Sequence, residues 1–407
     1  MSLFLGIDDF FFIKLFHAVL FSYLAVAGLP GIAGWILGKK VKTWQRALLA
    51  AVLYYLWLVS ETLINMWVDL PRFAYLVYAA NQVIRLNRPS SFPKWLRSLW
   101  AGFTVGTSFC LAGVNSVAGI CLMVFAVASI LPLRVMRQKA ERWSALLCVF
   151  LLMASSLILP MTDALFEKNF VAPLRNNGAW ILTKESTLLH SFSNLFHLYS
   201  HSPDTYSPRA YSLLVQEYGQ EMTDRFLAGV RSMPVMEYIR LTVKYPVDMI
   251  TMWANRLFLL STPSYATSLM SIYFLGYTLM YLTGLTFVKR GLTWGIVVRR
   301  NFWLALAFLM TLCGSVVGIA ERRMGIPIQG FYITIGLCSD TLWNGFRAFG
   351  QKIRSVWQEK SLRVLKTQAF PWSFCLWAVF LLICFTHIWV LLQLTVGYVR
   401  LYPNLLR

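Results

Sequence analysis

Charge is what this chain has least of. Only 13% of its 407 residues are Asp, Glu, Lys or Arg, about half the share usual in a soluble globular domain. Acidic residues are the scarcer kind, 17 against 37 basic. A soluble core cannot hide a composition that is 58% hydrophobic with mean hydropathy +0.59, whereas lipid can. The sequence lacks the short alternating segments of an outer-membrane barrel. It has no Walker loop, Gly-x-Ser-x-Gly elbow or His-Glu-x-x-His helix, and no cofactor is implied. It has no Asn-x-Ser/Thr acceptor, which fits a bacterial protein. Its seven cysteines all fall inside apolar runs and read as small core residues, not as disulfides or a metal frame. The N-terminus has no basic n-region and opens on Asp8 and Asp9, so a cleavable signal peptide is not expected.

Apolar runs are present in abundance. They predict spans at 15–37, 47–67, 70–84, two within 99–133, and then 143–159, 265–288, 302–320, 326–342 and 372–399. The first should loosen near Gly28-Leu29-Pro30-Gly31, and the pair within 99–133 should turn near Gly113–Ser116. The expected fold class is all-α: a polytopic integral membrane protein of about ten transmembrane helices. Three blocks follow: six spans in 1–161, an extracytoplasmic segment in 162–263 and four spans in 264–407.

Threading the spans alternately puts every basic loop on one side. Loops 39–46, 85–97, 134–142, 289–300 and 347–366 hold 22 basic residues against Glu141 and Glu359, which equals the whole net charge of +20. The positive-inside bias then sets the loops in the cytoplasm, with both termini and the polar stretch Thr162–Tyr245 outside. The expected location is a bacterial cytoplasmic (inner) membrane. The positive charge is a topology signal with lipid headgroups as partners, and nucleic acid is not one, since no basic domain stands clear of the membrane.

The polar stretch carries eight of the 17 acidic residues and three of the five histidines. Ser207-Pro208 reads as a helix start, followed by Leu213, Leu214, Tyr218, Met222, Phe226 and Leu227 on one face, with Pro234 as an interruption. Pro246 opens an amphipathic helix whose Met249, Ile250, Trp253, Leu257 and Leu260 suit the outer membrane surface.

Four constellations can carry chemistry. His190, His197 and His201 share a helical face, but no carboxylate stands near them at ligand spacing. Asp8 and Asp9 are adjacent carboxylates at the lip of the first span, able to act as a general base or simply to stay solvated. Glu61 lies within a span, where a carboxylate is a functional suspect by default. Arg322 and Arg323 sit on the side where basic residues are otherwise balanced by acids. Their planar guanidinium groups suit phosphate oxygens, with an ion pair to Glu321 as the plainer reading.

The segments Ala101-Gly102-Phe103-Thr104-Val105-Gly106 and Ala112-Gly113-Val114-Asn115 resemble the middle spans of GT-C superfamily membrane glycosyltransferases, such as the protein mannosyltransferase and aminoarabinose transferase families. Lys244-Tyr245-Pro246, with Trp253 and Arg256-Leu257-Phe258, is similar to their entry helix after the extracytoplasmic domain. Glu321-Arg322-Arg323 and Ile326-Pro327-Ile328 resemble a later basic-then-Pro segment. The resemblance covers about Ala47–Leu342. It implies sugar transfer from a polyprenyl-phosphate donor at the outer face, with Arg322, Arg323 and Arg256 on the lipid phosphate. Those enzymes carry a span and then an acidic outer loop holding the catalytic base. Here Asp8 and Asp9 precede the first span and stand in that role. Without such a loop, the same resemblance implies a non-catalytic subunit or scaffold of an envelope polysaccharide or lipid assembly, with a membrane-protein partner. A lipid or solute transporter is the third alternative; charges clustered at span ends and unmatched halves weigh against it.

Overall fold

The computed structural model describes residues 9–59, 69–86, 88–111, 116–131, 139–165, 212, 215–227, 235–261, 270–289, 300–312, 325–344, 347, 351, 354 and 374–387. Among them every regular element is helical, as the composition requires. The first block runs α1 (Asp9–Tyr23), a π-turn (Leu24–Gly28), α2 (Leu29–Leu37), α3 (Thr43–Val59), α4 (Asp69–Arg85), α5 (Lys94–Leu111), α6 (Ser116–Ile130) and α7 (Lys139–Leu165). Then follow α8 (Gln220–Leu227), α9 (Val235–Lys244), α10 (Pro246–Ser261), α11 (Met270–Lys289), α12 (Arg300–Met310), α13 (Ile326–Cys338) and α14 (Phe374–His387). Two stretches, Lys14–Leu37 and Glu141–Ile158, are long and apolar enough to cross a membrane by length and composition.

The π-turn has a cause. Pro30 has no N–H and its ring crowds the carbonyl four residues back, at Val26. The helix answers by widening: Leu29 N–H bonds Leu24 O, five residues earlier. The loosening therefore lies one turn ahead of the Gly28–Gly31 motif. Asn81 of α4 completes it, with Nδ2 donating to Gly28 O (2.9 Å) and Val77 O (2.8 Å).

Close backbone packing joins α5 to α7. Gly102 and Gly106, one turn apart, face Leu152, Ser155 and Ser156. A Cβ on Gly106 would stand 2.7 Å from the backbone C and Cα of Ser156. Only glycine lets two helix backbones approach this closely. The opposite face of α7 is an unbroken apolar stripe of Trp143, Leu147, Phe150, Leu157 and Met161, with Trp143 77% and Phe150 65% exposed. Buried hydroxyls return to their own helices: Thr104 to Ala101 O, Ser108 to Val105 O and Ser155 to Leu152 O. That satisfies these three hydroxyls within their own helices, whereas the buried Ser129 Oγ of α6 has no hydrogen-bond partner.

A ring stack forms the middle of the core. Phe308 and Phe331 lie 4.8 Å apart, Phe73 meets Phe308 edge-on, and Gly330 lets Phe73 approach α13.

Contacts also give helix directions. α1–α2 and α4 run parallel, Gly28 facing Val77 and Gly31 facing Asn81. α5 and α7 are parallel through Gly102–Leu152 and Gly106–Ser156. α4 and α5 are antiparallel, and Arg97 Nη1 caps the end of α4 by donating to Arg85 O and Arg88 O. Trp35 Nε1 donates to Asn301 Oδ1 (3.0 Å), Lys39 pairs with Asp340, and Trp44 meets Trp343 edge-on. These contacts gather the ends of α2, α3, α12 and α13 at one pole. At the other pole Gln329 and Tyr332 of α13 meet Leu260 and Ser261 of α10.

Two expectations need revision. α11 runs antiparallel to α13, since Leu279 faces Gly336 while Thr283 reaches Tyr332 and Phe287 stacks on Phe331; alternate threading makes these two run the same way. The predicted lipid face of α10 packs into the protein at four of its five residues, Ile250 remaining exposed. Met249 and Leu260 are buried, and Trp253 and Leu257 join Leu309, Leu312 and Ile328.

Candidate functional site

The candidate site is the pole where α10 meets α13. α13 begins with Pro327 in its first turn, a position that needs no N–H. Gly325, just before it, lies against Leu260 O, where any Cβ would clash. Gln329 Nε2 donates to Leu260 O (3.1 Å) and Tyr332 OH to Ser261 O (3.0 Å). A helix end has carbonyls without intrahelical partners, and these two side chains satisfy those of α10 from a neighbouring helix. Thr283 Oγ1, within reach of both Leu279 O (2.9 Å) and Tyr332 O (2.7 Å), ties α11 to the same corner.

At the opposite, N-terminal end of α10 lies a charged cluster that sequence reasoning did not single out. Gly219, at φ 78°, breaks the helix predicted through 213–227, because a left-handed residue ends a helix and glycine takes that conformation without strain. The break leaves residues 215–218 as a separate turn facing α9. Glu217 there is largely covered, its side chain 8% exposed, and accepts from Lys244 Nζ (2.5 Å), from Tyr245 OH and from Arg240 Nη1 (3.4 Å). Arg240 Nη2 also donates to Tyr218 OH (3.1 Å). The Lys244 hydrogen bond, and then that of Tyr245, holds the Glu217 carboxyl below its ordinary value. The same bonds raise Lys244 and Tyr245 above theirs. One carboxylate thus faces two cations. The motif was legible only as Arg240 and Lys244 one turn apart on an amphipathic helix.

The residues singled out from sequence fall as follows. Asp8, Glu61, Arg322 and Arg323 lie outside the described residues, as do His190, His197 and His201. Asp9 opens α1 and Arg256 lies within α10, but their side chains are outside the description. Among the described residues no group of three His, Cys, Asp or Glu could hold a metal ion. No family model, no curated protein and no solved structure matches the chain.

Proposed function

We propose that the chain is a polytopic membrane protein that handles a polyprenyl-phosphate-linked donor at its outer face, in the manner of a GT-C glycosyltransferase. Arg322, Arg323 and Arg256 hold the lipid phosphate, and Asp8 and Asp9 act as the base. The observation that carries the reading is the seating of Gly325 on Leu260. Arg256 precedes Leu260 by one helical turn, about 6 Å. Arg323 precedes Gly325 by two residues, at most about 7 Å of chain. In sequence, Arg256 lies four residues before Leu260 and Arg322 and Arg323 lie just before Gly325, and guanidinium groups suit phosphate.

The membrane reading has its own support. The parallel pairing of α1–α2 with α4 and of α5 with α7 agrees with alternate threading, as do the contacts at the two poles. The orientation is proposed for α1–α7, α12 and α13; the direction of α11 is left out of it. The glycine seam on one side of α7 and the exposed apolar stripe on the other are what a lipid-facing helix needs.

A non-catalytic scaffold is the second reading. It is favoured by the way Asn81, Thr283, Gln329 and Tyr332 all spend donors on backbone carbonyls between helices.

The test is binding of polyprenyl phosphate by purified protein. Arg322→Ala with Arg323→Ala should leave the protein inserted and weaken binding by about tenfold or more, as loss of charge-assisted contacts worth roughly 1.5–3 kcal/mol requires. Equal binding by the double variant sinks the site. Wild-type protein that binds no such lipid sinks the transferase reading and leaves the scaffold.

A further inference from the structure

We infer that Arg46 and Lys39 bind a phosphate oxyanion at the pole where the ends of α2, α3, α12 and α13 gather, opposite the α10–α13 corner. Its placement on the cytoplasmic face rests on the membrane reading above. The binding chemistry does not rest on sugar transfer.

The local sequence brings the two cations together. α2 stops at Gly38, whose φ of 63° is left-handed, and Lys39 follows with its N–H on Gly34 O (3.1 Å). α3 then starts after Lys42, a residue with no side-chain oxygen to cap the helix. Gln45 supplies half a capping box, its Oε1 accepting from Lys42 N–H (3.0 Å). Arg46 lies in this first turn, and helical side chains lean toward the N-terminus, so it reaches back over the turn. Cys338, fully buried at the end of α13, lies within electrostatic reach of both Lys39 and Arg46. The two cations therefore share one neighbourhood.

What this corner lacks is an acceptor. Arg46 Nε is buried and finds none among the described residues. A buried N–H on a permanent cation calls for an ion or a water. Asp340 pairs with Lys39, but its side chain is 62% exposed and no ion pair joins it to Arg46. An ammonium group has three donors, so Lys39 keeps two beyond Asp340. Two cations against this one carboxylate leave a positive charge that water does not answer. A phosphate group does, since a guanidinium edge offers it two parallel donors and the lysine a third. Indole rings set the depth: Trp44, 46% exposed, meets Trp343 edge-on, and Trp35 Nε1 donates to Asn301. Tryptophan collects at headgroup level. That level suits the phosphodiester of an anionic phospholipid, with a soluble phosphate as the other source of the same chemistry.

The full chain would be reconstituted in nanodiscs and offered two probes. Phosphatidylglycerol within phosphatidylcholine discs is read as lipid retained after detergent extraction. Inorganic phosphate, with discs of phosphatidylcholine alone, is read by equilibrium dialysis. Retained phosphatidylglycerol names a lipid as the source, and bound inorganic phosphate names a soluble one. Either upholds the site; binding of neither overturns it and leaves water on Nε. Arg46→Gln and Lys39→Gln should each weaken the bound probe by about tenfold or more, as loss of a charge-assisted contact requires. Asp340→Asn removes the competing carboxylate and should tighten binding, whereas loss of a merely structural latch would weaken it. Arg88→Gln strips an exposed cation from another basic loop and should change nothing. An equal loss there means a diffuse basic surface and overturns the site, as does unchanged binding by Arg46→Gln. If Arg46→Gln does not fold, Lys39→Gln and Asp340→Asn decide, and shifts of the same sign overturn the site. Polyprenyl phosphate binding is read alongside. Arg46→Gln should leave it unaltered, so the outer-face reading and this inference fail separately.

Discussion

The α5–α7 seam makes the sharpest prediction. Gly106→Ala adds one methyl group at a point 2.7 Å from the backbone C and Cα of Ser156. Ordinary contact there needs about 3.5–4 Å, so the helices must part by about 1 Å. Neither side can yield by rotating a side chain, because the obstacle is backbone. Overpacking of this kind costs about 1–3 kcal/mol, against which alanine regains about 1 kcal/mol of helix propensity. The net is a loss of about 0–2 kcal/mol for one methyl. Gly106→Leu forces the helices further apart and should exceed the upper end of that range. Gly284 is the control. It is helical, in α11, and a Cβ there meets nothing within 4 Å, so Gly284→Ala should be neutral or stabilise by about 0.5–1 kcal/mol. Thermal unfolding of the purified variants in one detergent would rank them Gly284→Ala, wild type, Gly106→Ala, Gly106→Leu, from most to least stable. If Gly106→Leu melts with wild type, the helices are not in backbone contact and the seam is wrong.

Other outcomes follow from the same geometry. Asn81→Leu strips a side-chain donor from Gly28 O in the π-turn, and losing that hydrogen bond should cost about 0.5–1.5 kcal/mol, read as a lower melting point with faster amide exchange at 24–30. The Glu217 carboxyl sits below its ordinary value, so its hold on α9 is full above the ordinary carboxylate range and is lost as pH falls through the lowered value. Lys244 is raised, so its share is full below the ordinary lysine value and is lost as pH rises through the raised one. Amide exchange of 240–245 should therefore be flat near neutrality and rise at both extremes, and Glu217→Gln should abolish the acid limb. A reporter fused at Lys360 should behave as cytoplasmic; a periplasmic signal would overturn the orientation.

Much of the all-helical fold could be read from the sequence because long apolar runs dominate every local choice. Where an apolar run ends in Lys39, Arg85 or Lys139, a helix ends or begins within a few residues. α5 ends at Leu111 and α6 begins at Ser116, and the turn expected at Gly113–Asn115 lies outside the described residues. The site was less legible because its polar members look ordinary in sequence. Asn81 is one polar residue on a mainly buried helix, and only its 2.9 Å contact with Gly28 O reveals a structural role. Gln329 reads as an impurity in an apolar run until α10 is seen to end against it. Glu217 gained its partners from residues 23 to 28 positions away, a separation over which no periodic pattern reports.

The direction of α11 was the hardest feature to read, and the reason is physical. Residues 270–289 are apolar or aromatic on every side, so the helix has no polar stripe to say which face or end meets which neighbour. Only Lys289 and Arg290 mark its end, and the positive-inside bias acts on whole loops rather than on single helices. Packing supplied the missing information. Thr283 finds a backbone acceptor at Tyr332, Leu279 passes over Gly336, and Phe287 stacks on Phe331. Running α11 the other way would carry Phe287 toward Gly336 and Leu279 toward Tyr332. The ring would then replace the smallest contact in the interface. Steric fit between Leu279 and Gly336, a van der Waals matter, therefore competes with the charge bias at 289–300. Paired cysteines set the two against each other: Leu279→Cys with Gly336→Cys should cross-link under mild oxidation if the antiparallel seat is the one occupied, whereas Phe287→Cys with Gly336→Cys should cross-link instead if the loop charges prevail and the helices run parallel.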